Sequence, residues 1–189
     1  MELTHTSAMK LLPSAVLYGL LAAILPASAG TLKIDKEKSR IQVDARATGH
    51  SFTGTLGDYE ASITGDASSL LPSSVNLAWK FADLKTGDAK RDGEMIKWLG
   101  GGKPEGSFKF TKTWSEGGKT FAMGDLRIHG VSKTVAFPFV AKRDGDWITV
   151  DGMAAMNYQD FGLPVITSMA VMKVNPGLTV RFHLVGRQN

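Results

Sequence analysis

The sequence predicts an all-β fold: an eight-stranded antiparallel barrel with one helix, about residues 88–99, packed at the barrel wall or mouth. Three observations carry this. Apolar and polar residues alternate with a period of two through most of the chain after residue 30. Turn signals rich in glycine separate about eight such stretches at spacings of roughly 8 to 15 residues. Only one segment has helical spacing with a cap at each end. Eight strands closed on themselves leave an interior just wide enough for side chains or for one small ligand.

Residues 1–29 read as a cleaved signal peptide. Lys10 gives a positive start, Leu11 to Leu25 is apolar, and Ala27-Ser28-Ala29 has the small-x-small form of a cleavage site. Either Met1 or Met9 serves as the start. The apolar run is short for a span and is broken by Pro13 and Gly19, so the expectation is export to the periplasm or outside, without a stable membrane anchor. Residues 30–189 then form a single domain. There is no cysteine, which removes thiol chemistry, cysteine–zinc sites and iron–sulfur clusters. The net charge of +4 comes from scattered basic residues, so no nucleic-acid footprint is indicated.

Taken in order, Ser39 to Thr48 alternates Ile41, Val43, Ala45 and Ala47 against polar neighbours, a strand with one dry face. Gly49 to Gly54 leads into a second strand around Glu60 to Thr64. A serine-rich loop spans Asp66 to Ser74, and Val75, Leu77, Trp79 and Phe81 mark the next strand. The helix follows: Asp88 is its cap, Arg91, Met95, Trp98 and Leu99 share a face, and Gly100-Gly101-Gly102 ends it. Ser107–Trp114 and Lys119–His129 form a hairpin around Glu116-Gly117-Gly118, which needs positive φ. Thr134–Lys142 and Trp147–Met153 form another around Asp144-Gly145. Pro138 is expected at an edge or a bulge. A last hairpin turns at Asn175-Pro176-Gly177, with Leu178, Val180, Phe182 and Leu184 on one face.

Four stretches carry a resemblance. Gly49-His50-Ser51-Phe52-Thr53-Gly54; Thr86-Gly87-Asp88 with Arg91-Asp92 and Trp98-Leu99; Gly124 to Lys133; and Asp160-Phe161-Gly162 are similar, in order and spacing, to the successive motifs of the YceI-like family. The resemblance spans nearly all of residues 30–189. It implies a lipocalin-like barrel, usually exported and often a homodimer, that encloses a long isoprenoid or fatty-acyl chain.

Two chemistries compete for this chain. The first is a tunnel for a long apolar chain. Phe52, Trp79, Met95, Trp98, Leu99, Phe108, Phe110, Leu126, Ile128, Phe137, Phe139, Met153, Met156 and Phe161 are its candidate wall, against the plainer reading that they simply fill the barrel. His50, Arg91 and His129 are the candidate polar rim. Arg91 could equally lie on a solvated helix face, paired with Asp88. Burying a methylene is worth about 0.8 kcal/mol, so a chain of about 16 carbons gains on the order of 12 kcal/mol before ordering costs. Such a binder is not an enzyme and needs no cofactor beyond the lipid itself. The second is a metal-assisted hydrolase or oxidoreductase using His50, His129 and His183, since three histidines and a water suffice for zinc. The plain alternative for each histidine is a hydrogen-bonding surface or turn residue.

Overall fold

The computed structural model describes residues 29–66, 68–168 and 172–188. The signal-peptide expectation for residues 1–29 lies almost wholly outside them. The strands are β1 (Ala29–Ile34), β2 (Arg40–Ala47), β3 (His50–Leu56), β4 (Glu60–Asp66), β5 (Pro72–Lys80), β6 (Leu84–Lys85), β7 (Glu105–Glu116), β8 (Lys119–Ile128), β9 (Val131–Asp144), β10 (Trp147–Asn157), β11 (Thr167–Ser168), β12 (Met172–Lys173) and β13 (Gly177–Gln188). One α-helix, α1 (Ala89–Trp98), follows β6, and short 3-10 turns cover Phe81–Asp83 and Tyr158–Phe161.

The order β1-β4-β5-β7-β8-β9-β10-β13 returns to β1 through the β1–β13 pairing, so eight antiparallel strands close a barrel. Closure removes the unpaired edges that an open sheet would leave. β13 is shared along its length: its last residues pair with β1, and Thr179 to His183 pair with β2. β2 carries β3 and β6 outward from the ring. β3 is a full strand where the sequence reading had only a connection, because Phe52 and Gly54 face the interior across a short Thr48-Gly49 turn.

The turns behave as glycine chemistry requires. Gly117 and Gly118 both have positive φ, 56° and 73°, in the two-residue connection between β7 and β8. Pro138 lies inside β9, paired with Phe121 of β8 and one residue beyond the last β9–β10 pair, Phe139 with Gly152. The sheet is thus locally unpaired on that side, where proline can be accommodated. The expected last hairpin is corrected. Asn175–Gly177 leads into β13, but β13 pairs with β10, β2 and β1, while β12 before it pairs with β11. The long apolar face of β13 is better covered inside the ring than by a two-residue partner.

A compact buried cluster packs beside α1 and forms part of the cavity wall. Ile41, Leu56, Tyr59, Phe81, Leu84, Leu99, Ile128, Tyr158, Phe161 and Leu163 are all buried and in mutual contact. It fixes the C-terminus of α1 to the barrel through Leu99, which is 4% exposed.

Candidate functional site: an apolar cavity under the helix

Period-two alternation sends one set of side chains from every barrel strand inward, and these do not fill the interior. They leave a cavity of about 670 Å³, within the range of small-molecule sites, about 300–1,000 Å³. Its wall is overwhelmingly aliphatic and aromatic. Mid-barrel, Phe137 touches Phe108 at 5.7 Å and Phe182 at 5.5 Å between ring centres. Met156 and Met95 contribute adaptable surface.

Glycine makes room for the largest rings. Gly106, directly opposite Trp79, Gly152, directly opposite Phe182, and Gly124, beneath Phe108, are all positions where an added Cβ would overlap the ring. The rings lie over bare backbone instead of projecting across the lumen.

α1 roofs one end. Asp88 caps it, its carboxylate accepting from the backbone N–H groups of Lys90 (2.9 Å) and Arg91 (3.1 Å). No residue within the helix is buried, yet Arg91, Met95, Trp98 and the C-capping Leu99 all reach the cavity. The indole Nε1 of Trp98 donates to the carbonyl of Pro164 at 2.9 Å, and its ring stands edge-on to Tyr158 at 5.0 Å. The Tyr158 hydroxyl in turn donates to the Val174 carbonyl at 2.7 Å, tying this wall to the strand entering β13. Burial raises the pKa of Tyr158, so its hydroxyl keeps its proton for that bond.

At the other end of α1, Arg91 stacks over Phe52 at 4.3 Å. Its Nε donates to Thr86 Oγ1 at 2.9 Å and Nη2 to the Thr86 carbonyl at 3.2 Å. Asp92 accepts from the Thr86 hydroxyl at 2.6 Å and from its backbone N–H at 3.0 Å. Arg91 is therefore braced on Thr86 rather than paired with the Asp88 side chain.

Of the residues singled out from sequence, Phe52, Trp79, Met95, Trp98, Leu99, Phe108, Phe110, Leu126, Ile128, Phe137, Phe139 and Met156 lie on the cavity wall, as do His50 and Arg91 of the rim. Three lie elsewhere. Met153 is 54% exposed on the outside of β10, because it is three residues from the inward Met156 and a strand alternates every second residue. Phe161, 1% exposed, is packed in the buried cluster and does not line the cavity. His129, with φ 51°, is an exposed turn residue between β8 and β9. Sequence reading missed much of the wall, including Val135, Val150, Ala154 and Ile166. For those on strands, parity with a recognised inward neighbour identifies them; Ile166 lies in an irregular segment without a periodic signal.

The three histidines do not come together. His50 lines the cavity, His129 sits in its turn, and His183 points outward, its Nδ1 2.7 Å from Asp151 Oδ1. Among the described residues no group of three or more His, Asp or Glu is placed to hold a metal ion.

Comparison with known proteins agrees with this architecture. A UPF0312 protein of Pseudomonas putida (strain W619) is 33% identical over 150 residues, covering 72% of this chain and 78% of that protein. One from Vibrio parahaemolyticus is 28% identical over 161 residues, covering 78% and 85%. Among solved structures, Burkholderia cenocepacia BcnA superposes with a TM-score of 0.69 at 19% identity, covering 82% of this chain and 99% of that one. A Campylobacter jejuni YceI protein gives 0.59 at 20% identity, covering 72% and 84%. The model of the YceI-like domain matches residues 32–186, and with the eight-stranded ring and its single helix this shows that the chain belongs to the YceI-like family.

Proposed function

We propose that this protein is a non-enzymatic binder that holds one long-chain apolar ligand, a polyisoprenoid, an isoprenoid quinone or a fatty-acyl chain, inside the barrel, and that it acts in the periplasm or outside the cell. The observation that carries the reading is the unfilled lumen: about 670 Å³ walled by side chains such as Phe108, Phe137, Val180 and Phe182. Protein interiors are ordinarily close-packed. A void of this size costs dispersion contacts along its whole surface, and an apolar chain restores them while leaving water itself. At about 0.8 kcal/mol per methylene, no charged contact is needed for firm retention.

The test is extraction. The protein is purified from the compartment in which it accumulates, its bound small molecules are taken into organic solvent, and mass spectrometry identifies them. The expected result is a stoichiometric long-chain lipid. No co-purifying lipid, together with no uptake of any long-chain probe by delipidated protein, would overturn the reading.

A further inference from the structure

We infer that the α1 end of the cavity is a headgroup subsite for an anion, so that the ligand is a long-chain lipid ending in a carboxylate or a phosphate. This rests on the cavity reading above and adds the chemistry of the polar end.

Asp88, Lys90, Arg91, Glu94 and His50 all line this end of the cavity, and Asp92 stands behind Arg91. Each acidic group is already engaged. Asp88 caps two backbone N–H groups of α1. Asp92 accepts twice from Thr86. Glu94 is paired with Lys97 at 2.9 Å. Neither cation is held in a direct ion pair, although Lys90 and Arg91 both favour the Asp88 carboxylate and Lys90 favours that of Glu94. Among the described residues, neither Lys90 nor Arg91 has a carboxylate within ion-pair distance.

Arg91 is also half-buried, which makes an unpaired guanidinium more costly than on an open surface. Phe52 covers one face of it and Thr86 occupies two of its donors, holding the fork still. Among the described residues the remaining guanidinium donors have no hydrogen-bond partner, and an oxyanion is the group that a fixed planar fork binds best. Among the described residues the opposite end of the lumen is lined by no lysine or arginine. There Gln188 donates to the Gly65 carbonyl and accepts from Arg143, so the apolar tail is the end that belongs there.

Hexadecanoic acid, hexadecyl phosphate and 1-hexadecanol share one chain and differ in charge. Titrated into delipidated protein at low ionic strength, the two anions are expected to bind at least about tenfold more tightly than the alcohol, the effect of one charge-assisted hydrogen bond. Arg91→Gln should reduce that preference to under about twofold, with the alcohol arm reporting any general loss of binding, and Arg91→Lys should keep part of it. Lys90→Gln, at an exposed position that folding does not need, should lower the preference and its salt dependence by a smaller amount. Equal binding of all three compounds by the natural protein overturns the headgroup assignment and leaves the cavity reading standing. Failure of all three to bind overturns both.

Discussion

Trp79 and Gly106 face each other across β5 and β7, and the indole occupies the space that a side chain at Gly106 would need. The same arrangement recurs at Phe182 over Gly152 and at Phe108 over Gly124. In each pair the glycine faces inward, so its missing side chain lets a bulky ring lie along the wall. A barrel of eight strands is narrow enough that its own side chains usually occupy it; here three glycines keep the lumen open. Gly106→Ala or Gly152→Ala should therefore push the ring into the cavity. The expected cost is about 1–3 kcal/mol, typical of overpacking, read as a fall in the urea midpoint with unchanged slope. Lipid capacity should fall as well. A mutant with normal capacity would show that the ring has another way to move.

The helix tests the roof. Trp98 is bound to Pro164 and Tyr158 but remains half-exposed, and nothing within α1 is buried. Trp98→Ala should cost well below the about 3–5 kcal/mol of a fully buried aromatic truncation, yet lipid should dissociate roughly tenfold faster or more. Trp114→Ala is the control. That residue stacks on Phe121 at 5.2 Å on the outer wall, where its parity differs from that of the inward Phe110 after the bulge in β7. It should lower stability without changing lipid release.

The N-terminus of α1 makes a local prediction. Asp88→Ala leaves two helix N–H groups without an acceptor, removing the cap that starts the helix. Because α1 has little packing beneath it, the loss should appear as faster amide exchange at residues 90–95 rather than as global unfolding. Protection in β8 and β13 should stay unchanged.

How far the sequence reading reached follows from which contacts are local. Strand alternation, the Asp88 cap and the glycine turns are written in neighbouring residues, so the barrel class and the helix were legible. Met153 went to the wrong face because a large apolar residue was weighted above its parity with Met156. Phe161 is misplaced for a different reason: it sits in a 3-10 turn, Tyr158–Phe161, whose place in the buried cluster with Leu56, Phe81 and Leu99 is set by distant segments. The bracing of Arg91 on Thr86 and Phe52 was equally out of reach, because Phe52 lies 39 positions earlier and is brought in by β3. Strand parity can be tested directly. Met153→Lys should leave stability and lipid uptake nearly unchanged, whereas Met156→Lys places a charge in the lumen and should abolish uptake.

Acid should weaken an ion pair on the outer wall. Asp44 accepts two bonds from Arg181, at 2.6 and 2.9 Å, and one from the Thr53 hydroxyl at 2.7 Å. The Arg181 guanidinium, then the Thr53 hydroxyl, hold the Asp44 carboxyl down at about 2. A carboxylate whose folded pKa is depressed contributes stability that is complete above its unfolded value, near 3.8, and is lost as pH falls toward about 2. Because the pair is partly exposed, its share is discounted to about 1 kcal/mol or less. The expected result is that the urea midpoint falls between about pH 4 and pH 2, and falls less steeply in Asp44→Asn. The variant should be weaker than the natural protein at pH 7, where the ion pair is intact, and should approach it at pH 2. An unchanged slope in Asp44→Asn would mean that other carboxylates, such as the Asp66 group held by Ser68 and Ser69 at about 2, carry the acid sensitivity instead.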